Sequence, residues 1–125
     1  MNFPDDLKYS ADHEWVLVDG DIAIVGLTEH AQEEFTDITS IDLPELDKGF
    51  DQGDPVATVY SAKGENEVYA PISGEIVEVN EDLQDDASII NADPYGDGWI
   101  YKISINVEGE LDNLMEAEDY EEFIA

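Results

Sequence analysis

The chain contains no cysteine and no arginine. Without cysteine there are no disulfides and no thiol chemistry from the protein's own side chains, so any redox sulfur must arrive on an attached group. The cationic side chains are four lysines, Lys8, Lys48, Lys63 and Lys102, against 33 Asp plus Glu, for a formal charge of −29. A surface this acidic repels phosphate backbones and anionic membranes, which argues against nucleic-acid and membrane-surface roles. It favours partners with basic docking faces and speeds those encounters at low salt. Solubility, or adaptation to a salty interior, would produce the same charge. No apolar run approaches the length of a membrane span. The N-terminus, Met-Asn-Phe-Pro-Asp-Asp-Leu, lacks the features of a targeting segment, so the expected location is the cytoplasm.

Catalytic motifs are missing too. There is no P-loop, no GxGxxG and no serine in a nucleophile elbow. Carboxylates are so frequent that pairs of them select nothing. The two histidines are His13 and His30. His30 lies in a polar helix start and reads as solvated. His13 lies beside Asp12 and Glu14, but adjacent strand residues point to opposite faces, so no metal site is expected. A carrier or a binding module is expected rather than an enzyme.

What is present suits one domain over residues 1–125, with a core over about 12–107 and a helical segment over about 110–124. Hydrophobic residues make up 42%, too many for a disordered acidic chain. Residues 1–10 read as an irregular lead-in. His13–Val18 and Ile22–Leu27 read as strands about an Asp19-Gly20-Asp21 turn. Thr28 is an expected N-cap for a short helix over 29–35, with Ala31 and Phe35 facing inward. Ile38–Leu43 is a strand whose apolar register shifts once. Turns follow at 44–49 and 52–55. Glu75–Asn80 alternates strongly, residues 81–88 are a loop or one helical turn, 94–98 is a loop, and Trp99–Ile105 is a strand. Trp15 and Trp99 read as core. Leu111, Leu114, Met115, Tyr120, Phe123 and Ile124 fall near helical spacing, which predicts a C-terminal helix, bent or in two pieces. The fold expected is mainly β, a sandwich or flattened barrel of two antiparallel sheets with small helices.

The chain is organised around residues 56–74. Val56, Val59 and Tyr60 precede a turn, and Val68, Tyr69 and Ile72 follow it. Lys63-Gly64 lies between, and Gly64 can take the positive φ that a tight hairpin needs. The segments on either side have similar length and turn content, which fits a pseudo-symmetric pair of sheets hinged here. Lys63 is thereby displayed on an outer tip. A long flexible amine on a rigid tip suits a swinging-arm carrier, and Glu65, Glu67, Glu75 and Glu78 could orient docking.

Several segments, in order, carry a resemblance. They are Leu7-Lys8-Tyr9 with His13-Glu14-Trp15-Val16, Val25-Gly26-Leu27-Thr28 with Ala31-Gln32, Ile41-Asp42-Leu43-Pro44-Glu45, Ala70 to Asn80, Pro94-Tyr95-Gly96-Asp97-Gly98-Trp99 and Tyr120-Glu121-Glu122-Phe123. Together they resemble the H protein of the glycine cleavage system, a lipoyl-carrier family with a barrel-sandwich hybrid fold. The resemblance implies lipoic acid in amide linkage on Lys63. It implies an aminomethyl group shuttled from glycine decarboxylase (P protein) to the tetrahydrofolate-dependent aminomethyltransferase (T protein), with reoxidation by dihydrolipoyl dehydrogenase (L protein). It also implies lipoate-attaching enzymes as partners, and Glu14 and Glu67 as contacts for the resting arm. The sequence departs from the family at Tyr60-Ser61-Ala62-Lys63-Gly64, where the acidic residue three before the lysine is absent and glycine follows. The alternatives are a diverged paralogue serving another lipoyl-transfer route and an unmodified acidic interaction module. A biotin carrier would flank the lysine with methionines, whereas Ala62 and Gly64 stand here.

Overall fold

The computed structural model describes residues 3–125. Glu14–Asp19 (β2) and Ile22–Leu27 (β3) pair antiparallel from Asp19↔Ile22 to Glu14↔Leu27 across the expected turn, with Gly20 at φ 67°. Tyr101–Ser104 (β9) pairs with β3, and Gly74–Val79 (β8) pairs with β9. Two-residue strands, Lys8–Tyr9 (β1) and Gly49–Phe50 (β5), close the edges of this six-stranded sheet, ordered β1-β2-β3-β9-β8-β5. The second sheet has three strands, Ile38–Asp42 (β4), Pro55–Ser61 (β6) and Gly64–Tyr69 (β7), ordered β4-β6-β7. Both sheets are antiparallel, as expected.

Alternation explains which face each strand buries. In β3, Ala23 and Val25 are fully buried; in β9, Tyr101 and Ile103 are. From the smaller sheet, Ile38, Ile41, Val59 and Val68 enter the same cluster. The register shift expected in β4 is a bulge between Ile38 and Ser40, and it keeps both isoleucines inward. A second cluster lies outside the first: Leu7, Tyr9 and Trp15 pack against Ala117 and Tyr120.

Thr28 caps the helix Glu29–Phe35 (α1), its hydroxyl accepting the Ala31 N–H at 3.2 Å. Asp82–Asp85 (α2) is the one-turn helix expected within 81–88, and a further turn, Ile89–Ala92 (α3), follows. The chain ends in two pieces, a 3₁₀ segment Glu108–Asn113 and a helix Ala117–Ile124 (α4). Among the described residues, no helix is long and apolar enough to cross a membrane.

Four readings need correction. The lead-in is not wholly irregular: Lys8 and Tyr9 pair with Val16 and Trp15, and Tyr9 also bridges Met115. Phe50, placed in no strand, pairs with Gly74. The two sheets are not halves hinged at the lysine hairpin. A two-residue turn puts both its arms in one sheet, and strands from both sides of it build the larger sheet. Trp99 is core only in part: half-buried, it packs against the second cluster, its ring lying under the Lys102 amine at 5.1 Å from the centroid. Trp15 does pack as core: a Cβ on Gly26 would meet its ring at 2.6 Å, and its Nε1–H donates to the Pro94 carbonyl at 2.8 Å.

Candidate functional site: a lysine hairpin and a buried carboxyl

β6 and β7 pair in register up to Ser61↔Gly64, so the turn consists of Ala62 and Lys63. This moves the turn one residue earlier than Lys63-Gly64. Gly64 opens the return strand at φ 117°, a conformation that disfavours any other residue. The Ser61 hydroxyl accepts the Lys63 N–H at 3.3 Å and fixes the turn from inside. Both strands are anchored by fully buried Val59 and Val68, while Ala62, Lys63, Gly64 and Glu65 are exposed.

The four lysines differ in their company. Lys8 pairs with Glu116 at 3.0 Å and Lys102 with Glu78 at 3.3 Å. Lys48 lies 5.4 Å from the Phe50 ring centroid. Among the described residues, Lys63 is the lysine whose amine has neither an ion pair nor a ring contact. Acylating it would leave no carboxylate orphaned, and alanine and glycine flank it without crowding. The position fits an amide-linked lipoyl group.

Glu14 is not a strand-edge acid in solvent. It is 1% exposed and bridges the two sheets. Its carboxyl accepts the Ser10 O–H at 2.7 Å and, from the smaller sheet, the Tyr69 N–H at 3.3 Å. Ser10 answers by accepting the Glu14 N–H at 3.1 Å. Burial pushes the Glu14 carboxyl up to about 8, with these hydrogen bonds pulling the other way. A cleft of about 290 Å³ opens onto it, lined also by Gln52, Pro71 and Asn113. Tyr69 is five residues beyond Gly64, so this contact lies about 17 Å along β7 from the turn at ~3.3 Å per residue. Nearby, the Tyr101 hydroxyl is fully buried and has no hydrogen-bond partner.

Glu67 is exposed and separate from Glu14. It faces Thr58 across β6–β7, accepting its hydroxyl at 3.3 Å, and lines another cleft with Asp42 and Lys48. Glu65 is likewise exposed on β7, opposite Tyr60. The sequence reading missed Ser10 and Tyr69 as partners of Glu14. It also kept the histidines apart, yet His13 and His30 meet, ring centroids 4.9 Å apart. Burial, and after it the His30 ring, pushes the His13 imidazole down from its ordinary value. The available signal was His30 and Glu34, four apart on one helical face.

Two antiparallel sheets that present one unpaired lysine on a two-residue turn define a carrier domain of the lysine-hairpin class. A profile of the glycine cleavage H-protein family matches residues 7–125. The chain is 47% identical over 124 residues to a glycine cleavage system H protein of Alteromonas mediterranea, covering 98% of this chain and 96% of that one. It is 50% identical over 121 residues to one of Pectobacterium atrosepticum, covering 96% and 93%. The crystal structure of a glycine cleavage system H protein from Mycobacterium marinum superposes with a TM-score of 0.87 at 36% identity, covering 94% of this chain and 95% of that one. The chain belongs to the glycine cleavage H-protein family, the carrier component of the glycine cleavage system.

Proposed function

We propose that this chain carries lipoic acid on Lys63 and delivers it among the enzymes of glycine cleavage. The observation that carries the reading is the Lys63 amine, unpaired and exposed on a turn held by paired strands. When bound, the lipoyl group supplies a disulfide that can take up a one-carbon amine unit and two electrons. The protein's part is presentation and shelter. Ser61 holds the turn, and Val59 and Val68 keep its arms rigid. The Glu14 cleft offers a carboxyl already oriented by Ser10 and Tyr69. Burial keeps it protonated near neutral pH, and an arriving cationic amine would favour its ionised form and pair with it. Glu67 is a second contact, nearer the turn. The acidic surface suits basic docking faces on glycine decarboxylase, the aminomethyltransferase, dihydrolipoyl dehydrogenase and the lipoate-attaching enzymes.

The test is an intact-mass spectrum of the protein from its native cells, with peptide mapping across residues 50–75, beside the variant Lys63→Arg. Lysine 63 should carry one lipoyl increment. The arginine variant should fold as the parent does, carry none and fail to support glycine oxidation. An unmodified Lys63 in cells that lipoylate other proteins would overturn the reading in favour of a diverged paralogue or an acidic docking module.

A further inference from the structure

Three metal-ligating side chains converge away from the hairpin. One ligand atom from each of His13, His30 and Glu34 lies within 4.8 Å of the others. His30 Nε2 is already 3.2 Å from Glu34 Oε1 across one turn of α1. His13 comes from a different element, the residue just before β2, and long-range packing brings it there.

The His13 ring is held in place. Its backbone takes φ 71°, uncommon for a residue with a side chain. Hydrogen bonds fix that backbone on both sides: its N–H donates to the Ser10 carbonyl at 3.1 Å, and its carbonyl accepts the Thr28 N–H at 3.1 Å. Ring atom Nδ1 is 2.8 Å from the Tyr120 hydroxyl, which in turn is 2.9 Å from Thr28 Oγ1. Tyr120 is itself immobilised, fully buried and stacked on Tyr9 at 4.8 Å. With Nδ1–H donating to Tyr120, the other ring nitrogen keeps its lone pair for a ligand. A metal-bound histidine ordinarily has such an outer partner, which sets its tautomer and aim.

We propose that His13, His30 and Glu34 form a binding site for a divalent transition metal of the zinc type. Two imidazoles and one carboxylate suit borderline-soft ions, not calcium or magnesium, which prefer all-oxygen sets. The histidines are half-buried and Glu34 is exposed, which leaves an open side for a water as fourth ligand. The metal would tie the entry to β2, helix α1 and, through Tyr120, helix α4. It uses none of the hairpin residues, so it stands or falls independently of lipoyl carriage.

The probe is ZnCl₂, added to the chelator-stripped full chain in physiological salt. Excess MgCl₂ occupies the diffuse acidic surface. Calorimetry and native mass spectrometry should show one saturable zinc per chain, and the ring signals of both histidines should shift in NMR spectra. Glu34→Gln alters an exposed group and His30→Ala a half-buried one; both should fold normally while losing the saturable site. Tyr120→Phe keeps the stacked ring but removes the outer partner, and should weaken zinc by about 10- to 100-fold. Three results would each overturn the proposal. One is zinc binding that magnesium abolishes. Another is wild-type affinity in His30→Ala. The third is a His13 signal that zinc does not move, which would leave two imidazoles packed for structure alone.

Discussion

Replacing Glu14 by glutamine should stabilise the protein, and increasingly so as pH rises. The folded state raises this carboxyl from 4.5 to about 8, chiefly by burial. The unfolded chain ionises it near the ordinary value. Between those two values the folded state retains a proton that the unfolded state releases, so stability falls as pH rises through that window. The difference, 8 − 4.5 = 3.5, corresponds at ~1.36 kcal/mol per unit to a ceiling of about 5 kcal/mol once the pH passes the folded value. At about pH 5 the penalty is only ~1 kcal/mol by the same relation. Glutamine has nearly the same shape and no charge to bury. Its amide oxygen can keep the Tyr69 N–H while its NH₂ donates to the Ser10 hydroxyl. Urea unfolding followed by tryptophan fluorescence, from about pH 5 to about pH 9, gives both stability curves. Chelator in the buffer keeps His13 and His30 metal-free. Subtracting one curve from the other isolates Glu14 from the many surface acids. The difference should open from ~1 toward ~5 kcal/mol. Parallel curves would refute the reasoning, because they would mean that the carboxyl is solvated and ionised in the folded protein.

Other substitutions test other parts of the fold. A Cβ on Gly74 would meet the Ser104 carbonyl oxygen at 1.8 Å. Gly74→Ala must therefore push β8 off β9, at about 2–4 kcal/mol for strained packing and broken hydrogen bonds. Gly109→Ala meets nothing within 4 Å and should change stability by less than ~0.5 kcal/mol in the same denaturation assay. Tyr101→Phe removes a buried hydroxyl with no partner and should raise stability by roughly 1–2 kcal/mol. Lys8→Ala breaks an exposed pair with Glu116 and should cost under ~1 kcal/mol, less still in high salt.

The hairpin was legible because its signals are local. Valines and tyrosines flank a turn closed by Gly64, and the turn's register lies one residue earlier than expected. The Thr28 cap and the Gly20 turn were readable for the same reason. β1 and β5 were not, since two residues show no period; they exist because Trp15 and Gly74 offer them partners. α3, a single turn, is likewise below the length at which helical spacing can be seen. Glu14 could be placed on a strand from the sequence, but its burial could not. That depends on Tyr69, 55 residues away, and on which sheet lies over it. The meeting of His13 with His30 follows from the β2–β3 register, which sets Thr28, and so the start of α1, beside His13. His30 with Glu34, two of that site's three ligands, lies at helical spacing that the sequence does show.

The two-residue turn at Lys63 has a mechanical consequence. From Ala57↔Val68 the pairing runs without a register shift to Ser61↔Gly64, so the backbone contributes no slack to the tether. The reach of anything joined to the lysine is set by the side chain and its attachment, and the volume searched is centred on one fixed point. The local concentration at a docked partner is then a constant of the architecture, unaffected by loop fluctuation. Residues inserted at Ala62-Lys63 would lengthen the tether and dilute its load, with the local concentration falling as roughly the −3/2 power of tether length.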